Sequence, residues 1–130
     1  MRGPRVGGSG GWDGEPEVYR EQMENSAASV TFVPDVRAEA VVDPGRVGHT
    51  TVLSSPGVRV VVLTFEAGHV LKEHRAPKIV IMQALDGRLR ITAGGQITEL
   101  TPGALLRMDA SLLHEVEALE ESRLMLTMIG

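Results

Sequence analysis

From Ser29 to its end the chain alternates short apolar stretches with turn residues. Val30 to Val33 is β-rich and stops at Pro34, and Arg37 to Val42 ends at Asp43-Pro44-Gly45. His49 to Leu53 runs into Ser54-Ser55-Pro56-Gly57, and Val58 to Phe65 is dense in the β-branched residues that strands favour. Ile79 to Leu85 is almost continuously apolar, the mark of a strand covered on both faces. Arg88-Leu89-Arg90-Ile91 instead alternates charged and aliphatic residues, as a half-buried strand does. Asp86-Gly87 and Gly94-Gly95 carry the residues of tight hairpin turns. Pro102-Gly103 turns the chain into Ala104 to Asp109, and His114 to Leu119 and Arg123 to Ile129 close the series. No helical period follows residue 26. Many short strands punctuated in this way predict an all-β, antiparallel sandwich or small barrel over residues 29–130.

The first 28 residues read differently. Residues 1–14 hold six of the fifteen glycines and almost no apolar pattern, which predicts a flexible tail. Pro16 at a first helical position, acidic neighbours and Asn25 near the end predict a short helix. Trp12 and Tyr19, the sole Trp and Tyr, lie in this segment and point to docking on its own barrel or on a partner subunit.

Composition narrows the function classes. At 130 residues the chain is one domain, and with only 3% aromatics its core must be built from aliphatics and six Met. A net charge of −4 argues against nucleic acid, which calls for a basic stripe. Without Cys there is no disulfide, thiolate ligand or Cys nucleophile. No apolar run approaches the ~20 residues of a membrane span and no signal-peptide core is present, so the expectation is a cytoplasmic protein away from membranes. Phosphate-binding Gly-rich loops, nucleophile elbows and the His-Glu-x-x-His helix are missing from the sequence.

The chemistry that remains rests on histidine. In His114-Glu115-Val116-Glu117-Ala118, alternation puts His114, Val116 and Ala118 inside if both Glu face water. Alternation does not place His74. Both, however, stand in spaced patterns. Gly68, five residues, His74 and then Gly87 thirteen residues on resemble the first motif of the cupin superfamily. Gly103, five residues, Asp109, Ser111 and His114 resemble the second. The resemblance covers about residues 45–130 and implies a jelly-roll β-barrel with His74 beside His114. It also implies what has been lost. Ala76 and Val80 occupy the family's second-His and Glu ligand positions, and Asp109, Ser111 and Ala118 replace the Pro, Gly and Asn of the second motif.

On that register His74 and His114 are the candidate catalytic residues, and His74, Val80, Met82, His114 and Val116 form the candidate ligand-binding set, with Ala84 and Ala118 on the same interior face. Two imidazoles fall short of the three or more protein ligands that metal sites use. The expectation is therefore no cofactor, or a weakly bound divalent Fe, Mn, Ni or Zn at His74 and His114. His69, ~16 Å along a strand from His74, is a poor third ligand. Glu73 would face the other way, and nothing places His49. The functional expectation is a barrel binding an apolar small molecule, acting as a metal-independent isomerase, cyclase or lyase. The alternatives are a metal-dependent dioxygenase or isomerase, and a non-catalytic structural or sensory barrel. An apolar face at Ile79, Ile81 and Leu85, together with the family resemblance, leads to the expectation of a homodimer.

Overall fold

The computed structural model describes residues 29–130, so the tail and helix expected within residues 1–28 lie outside the described residues. β1 (Gly48–Ser55), β2 (Val58–Phe65), β3 (Val70–His74), β4 (Ile79–Asp86) and β5 (Leu89–Ala93) come first. β6 (Gln96–Leu100), β7 (Leu106–Met108), β8 (His114–Ala118) and β9 (Ser122–Ile129) complete the order. They form two sheets, β1-β2-β9-β4-β7 and β3-β8-β5-β6. Every pairing is antiparallel. No helix among the described residues is long and apolar enough to cross a membrane.

The alternation seen in the sequence becomes the core. β8 buries His114, Val116 and Ala118 and leaves Glu115 and Glu117 half-covered. β4 buries Val80, Met82 and Ala84, while Ile79, Ile81 and Gln83 on its other face are half-buried. The near-continuous apolar run had pointed to full cover on both faces, but only one face is fully covered. Phe65, Met82 and Leu124 from one sheet meet Leu89, Ile91 and Leu100 from the other, all fully buried. Among the described residues Phe65 is the one Phe, Tyr or Trp in this interface, so the cohesion they supply is mainly aliphatic.

Two expectations are corrected. Val30–Val33 and Arg37–Val42 are not strands, and the first strand begins at Gly48. Pro34 and Pro44 donate nothing to a ladder. Asp35 Oδ1 accepts the backbone N–H groups of Arg37 and Ala38, and Ala40 N–H bonds to Arg37 O, so the segment satisfies itself as turns. It is fastened where Arg123 Nε donates to the carbonyl of buried Ala40 at 2.7 Å.

Asp86-Gly87 is not a hairpin either. β4 and β5 belong to different sheets, and the chain crosses between them here. The Asp86 carboxylate accepts the Arg123 N–H at 2.8 Å and the Arg123 guanidinium at 2.7 Å. Ser122 Oγ accepts the Arg88 N–H and donates to Glu120 O. These bonds to β9 replace those of a hairpin turn. Gly94-Gly95, by contrast, makes the expected tight turn, with φ of 59° and 74° and Ala93 opposite Gln96.

Gly87 has φ of 79°, and an added Cβ would collide with Ser122 and with the Glu121 carbonyl. Around Gly95 the same space is open. In urea denaturation Gly95→Ala should cost about 1–2 kcal/mol from backbone strain alone, and Gly87→Ala about 3–5 kcal/mol because backbone must also move. Equal losses at the two positions would contradict the close packing at the crossover.

Candidate functional site

Sequence alternation could not place His74 because β3 does not alternate. Against β8 its register runs Val70 with Glu117, Leu71 with Val116, then His74 with His114. Three steps on β3 match two on β8, which is a β-bulge carrying one extra residue. The bulge puts Leu71 and His74 on one face, where an unbroken strand would put them on opposite faces. His74 thereby lies directly across from His114, with ring centroids 4.2 Å apart and planes tilted by 60°.

Both rings are held in the same way. His74 Nδ1 lies 2.9 Å from Lys72 O, and His114 Nδ1 lies 2.9 Å from Leu112 O. A carbonyl only accepts, so each Nδ1 carries the hydrogen and each neutral ring keeps its lone pair on Nε2. His114 is only 4% exposed. Burial pushes its pKa below the ordinary value; the Leu112 carbonyl works against that shift, and the neighbouring His74 adds to it.

The pair stands on the wall of a cavity of about 410 Å³. Val61, Leu63 and Val80 form its buried floor, with Leu126 and Met128 of β9 beside them and Leu71 of β3 on the imidazole side. Ala76 and Val80 both line it. At its exposed edge are His49, Arg59 and Arg75. Of the residues singled out from sequence, His74, Val80 and His114 share this cavity. Met82 and Val116 do not line it; they are buried in the sheet-to-sheet core with Ala84 and Ala118.

Two edge residues, Arg59 and Arg75, were missed, and the structure places His49, which the sequence left unplaced. His49 faces the cavity because β1 sets it opposite Leu63, and Arg59 follows the parity of Val61 and Leu63 on β2. That parity was readable for Arg59. Arg75 follows the bulge and could not be placed without it.

The donor set does not fit a metal centre. No group of three or more His, Cys, Asp or Glu side chains converges among the described residues. Ala76 and Val80 present hydrocarbon to the cavity. His69 lies at the other end of the β3–β8 ladder, where Ala118 N–H bonds to its carbonyl, and its ring engages Glu66 through Nδ1 at 3.1 Å and Nε2 at 3.5 Å. Glu73 is exposed and lines a separate hollow.

No family model and no curated protein matches the chain. Solved structures do. A cupin superfamily protein from Desulfitobacterium hafniense superposes with a TM-score of 0.69 at 17% identity, covering 78% of this chain and 98% of that one. An RmlC-like cupin protein from Desulfovibrio desulfuricans gives 0.67 at 24% identity over 78% and 97% of the two chains. The DMSP lyase DddQ from Ruegeria pomeroyi gives 0.62 at 17% identity, over 65% of this chain and 47% of that one. The barrel is thus similar in fold to cupin barrels.

His114 should make stability depend on pH. A base whose pKa is lower folded than unfolded binds more protons when unfolded. Its contribution is therefore intact above the ordinary value of 6.5 and is lost as pH falls through the lower folded value. Denaturation midpoints taken from about pH 8 to about pH 5 should fall with pH, and more steeply than in His114→Asn. Identical profiles would show that the imidazole is not buried neutral.

Proposed function

We propose that this cupin-fold barrel binds a small molecule in the cavity beside His74 and His114, and that the two imidazoles move a proton on it without a resident metal. One observation carries the reading: two opposed rings line an aliphatic cavity, and each has its Nδ1 tied to a carbonyl, which leaves the lone pair of the neutral ring on Nε2. Desolvation keeps His114 neutral and able to accept a proton at Nε2 near neutral pH. The half-buried His74 has access to solvent and completes the transfer. Returning the proton to another atom of the same molecule is an isomerisation or cyclisation, and passing it to water after a bond breaks is a lyase reaction. Lyase chemistry has precedent on a similar barrel, since one of the related structures is a DMSP lyase.

A metal-dependent dioxygenase or isomerase built on His74 and His114 is the weaker reading, because His49 lies at the exposed edge of the cavity and no three donors converge among the described residues. A homodimer through the half-buried outer face of β4, around Ile79, Ile81 and Leu85, remains part of the proposal. Light scattering at micromolar concentration tests it, and a monomeric mass counts against it.

The central test begins with native mass spectrometry of the purified protein against a metabolite mixture, followed by turnover assays on whatever binds. His114→Asn retains an amide donor near the position of Nδ1 and removes Nε2; His74→Asn does the same across the pair. Each should lower turnover by about 10²–10⁴-fold while thermal stability changes little. Ligand bound but never converted would identify a carrier or sensor instead. Chelator dialysis should leave less than one metal equivalent, and a full equivalent of iron, manganese, nickel or zinc would overturn the metal-free mechanism.

A further inference from the structure

The described residues include eight arginines, and six of them lie within 4.0 Å of a carboxylate: Arg37, Arg46, Arg88, Arg90, Arg107 and Arg123. The two with no carboxylate partner among the described residues are Arg59 and Arg75. Both line the cavity that holds His74 and His114. Scattered surface arginines would not sort themselves this way, since a guanidinium near a carboxylate ordinarily takes it.

Each of the two is nevertheless oriented. Arg59 Nη2 donates to Thr51 Oγ1 at 3.0 Å, and Arg75 Nη1 donates to Ser111 O at 2.8 Å. A hydroxyl and a carbonyl steady the guanidinium without cancelling its charge, and neither fork has a further hydrogen-bond partner among the described residues. Among the described residues the cavity wall contains no Asp or Glu, so they give it a formal charge of +2 in a chain of net charge −4. The adjoining hollow, about 330 Å³, shares Arg59, Pro77 and Met128, adds Lys78, whose Nζ donates to Gly130 O at 2.6 Å, and has no Asp or Glu among the described residues of its wall. The remaining wall of the main cavity is aliphatic or imidazole. A positive edge on an apolar chamber concentrates anions that carry a hydrocarbon body.

We infer that the ligand is an amphiphilic oxyanion, an apolar body ending in a carboxylate or phosphate that Arg59 and Arg75 hold at the cavity edge while the body lies along the aliphatic wall of Val61, Leu63 and Leu126. This rests on the small-molecule reading above and adds the chemical class of the molecule.

Four probes with one carbon skeleton separate the possibilities: octanoate, octyl phosphate, octanol and octylamine, titrated calorimetrically into wild type, Arg59→Gln, Arg75→Gln, the double variant and Ala76→Leu. Both arginines are exposed, so the Gln variants should fold, and circular dichroism verifies it. At least one of the two anions should bind tenfold or more tightly than octanol, with octylamine weakest. Which anion leads identifies the headgroup. The double variant should lose at least tenfold for that anion and leave octanol unchanged, and Ala76→Leu, which fills the chamber, should weaken all binding. Octanol binding as tightly as both anions, or an anion indifferent to the double substitution, overturns the inference. If octanol binding is then still lost in Ala76→Leu, the pocket reading survives that failure. Absence of binding by every probe overturns both.

Discussion

The barrel mouth depends on one extra residue in β3. Strand geometry allows only every second side chain to reach a given face, so Leu71 and His74 cannot both point inward on a regular strand. The bulge between them removes that conflict. It gives the cavity Leu71 as aliphatic wall and His74 as partner to His114 in the same short strand. Lys72, within the bulged stretch, supplies the carbonyl that fixes the His74 tautomer, as Leu112 does for His114. Arg75 and Ala76 follow directly and inherit the same offset. The backbone irregularity and the polar chemistry of the site therefore have one origin.

The second constraint is the crossover after β4. A chain leaving one sheet for another must satisfy the backbone groups that a hairpin would have paired. Asp86, Ser122 and Arg123 do this with short hydrogen bonds to side chain and backbone, and Arg123 also reaches Ala40. β4 can then lie between β9 and β7 with Val80 directed inward, and β5 can pair with β8 from behind His114. Both cavity walls are thus positioned from a corner remote from the imidazoles. A chain poor in aromatic residues closes its core by such register constraints together with many small aliphatic contacts.

What the sequence revealed follows the same physics. β2, β4, β8 and β9 were legible because their apolar residues recur with period two or run unbroken between turn residues, and Gly94-Gly95 was legible because two positive-φ positions demand it. The buried parity of Val80, Met82, Ala84, Val116 and Ala118 was legible for the same reason. The segment before Gly48 was not, since β-rich composition there is overruled by prolines and by the Asp35 turn. Asp86-Gly87 has the local chemistry of a hairpin, and only the distant Arg123 and Ser122 divert it. His74 needed a register shift that no local pattern encodes. Parity could extend the interior from Val80 to Met82, but not show that Met82 packs into the core beyond the cavity.

The paired tautomers also govern what can occupy the chamber. Each Nδ1 is committed to the carbonyl two residues before it, so neither ring can present an N–H to the cavity without breaking a bond or gaining a proton. With both rings lining the chamber, their Nε2 atoms are acceptors alone. A hydrocarbon pressed against the buried His114 ring would strand its Nε2, at roughly 1–3 kcal/mol for a buried acceptor left unmet. Water, a hydroxyl or an acidic C–H must therefore occupy that spot. The imidazoles consequently reject by mismatch before any reaction begins: a molecule is admitted in the orientation that brings a hydrogen to them, and its purely aliphatic portion is turned toward Val61, Leu63 and Leu126.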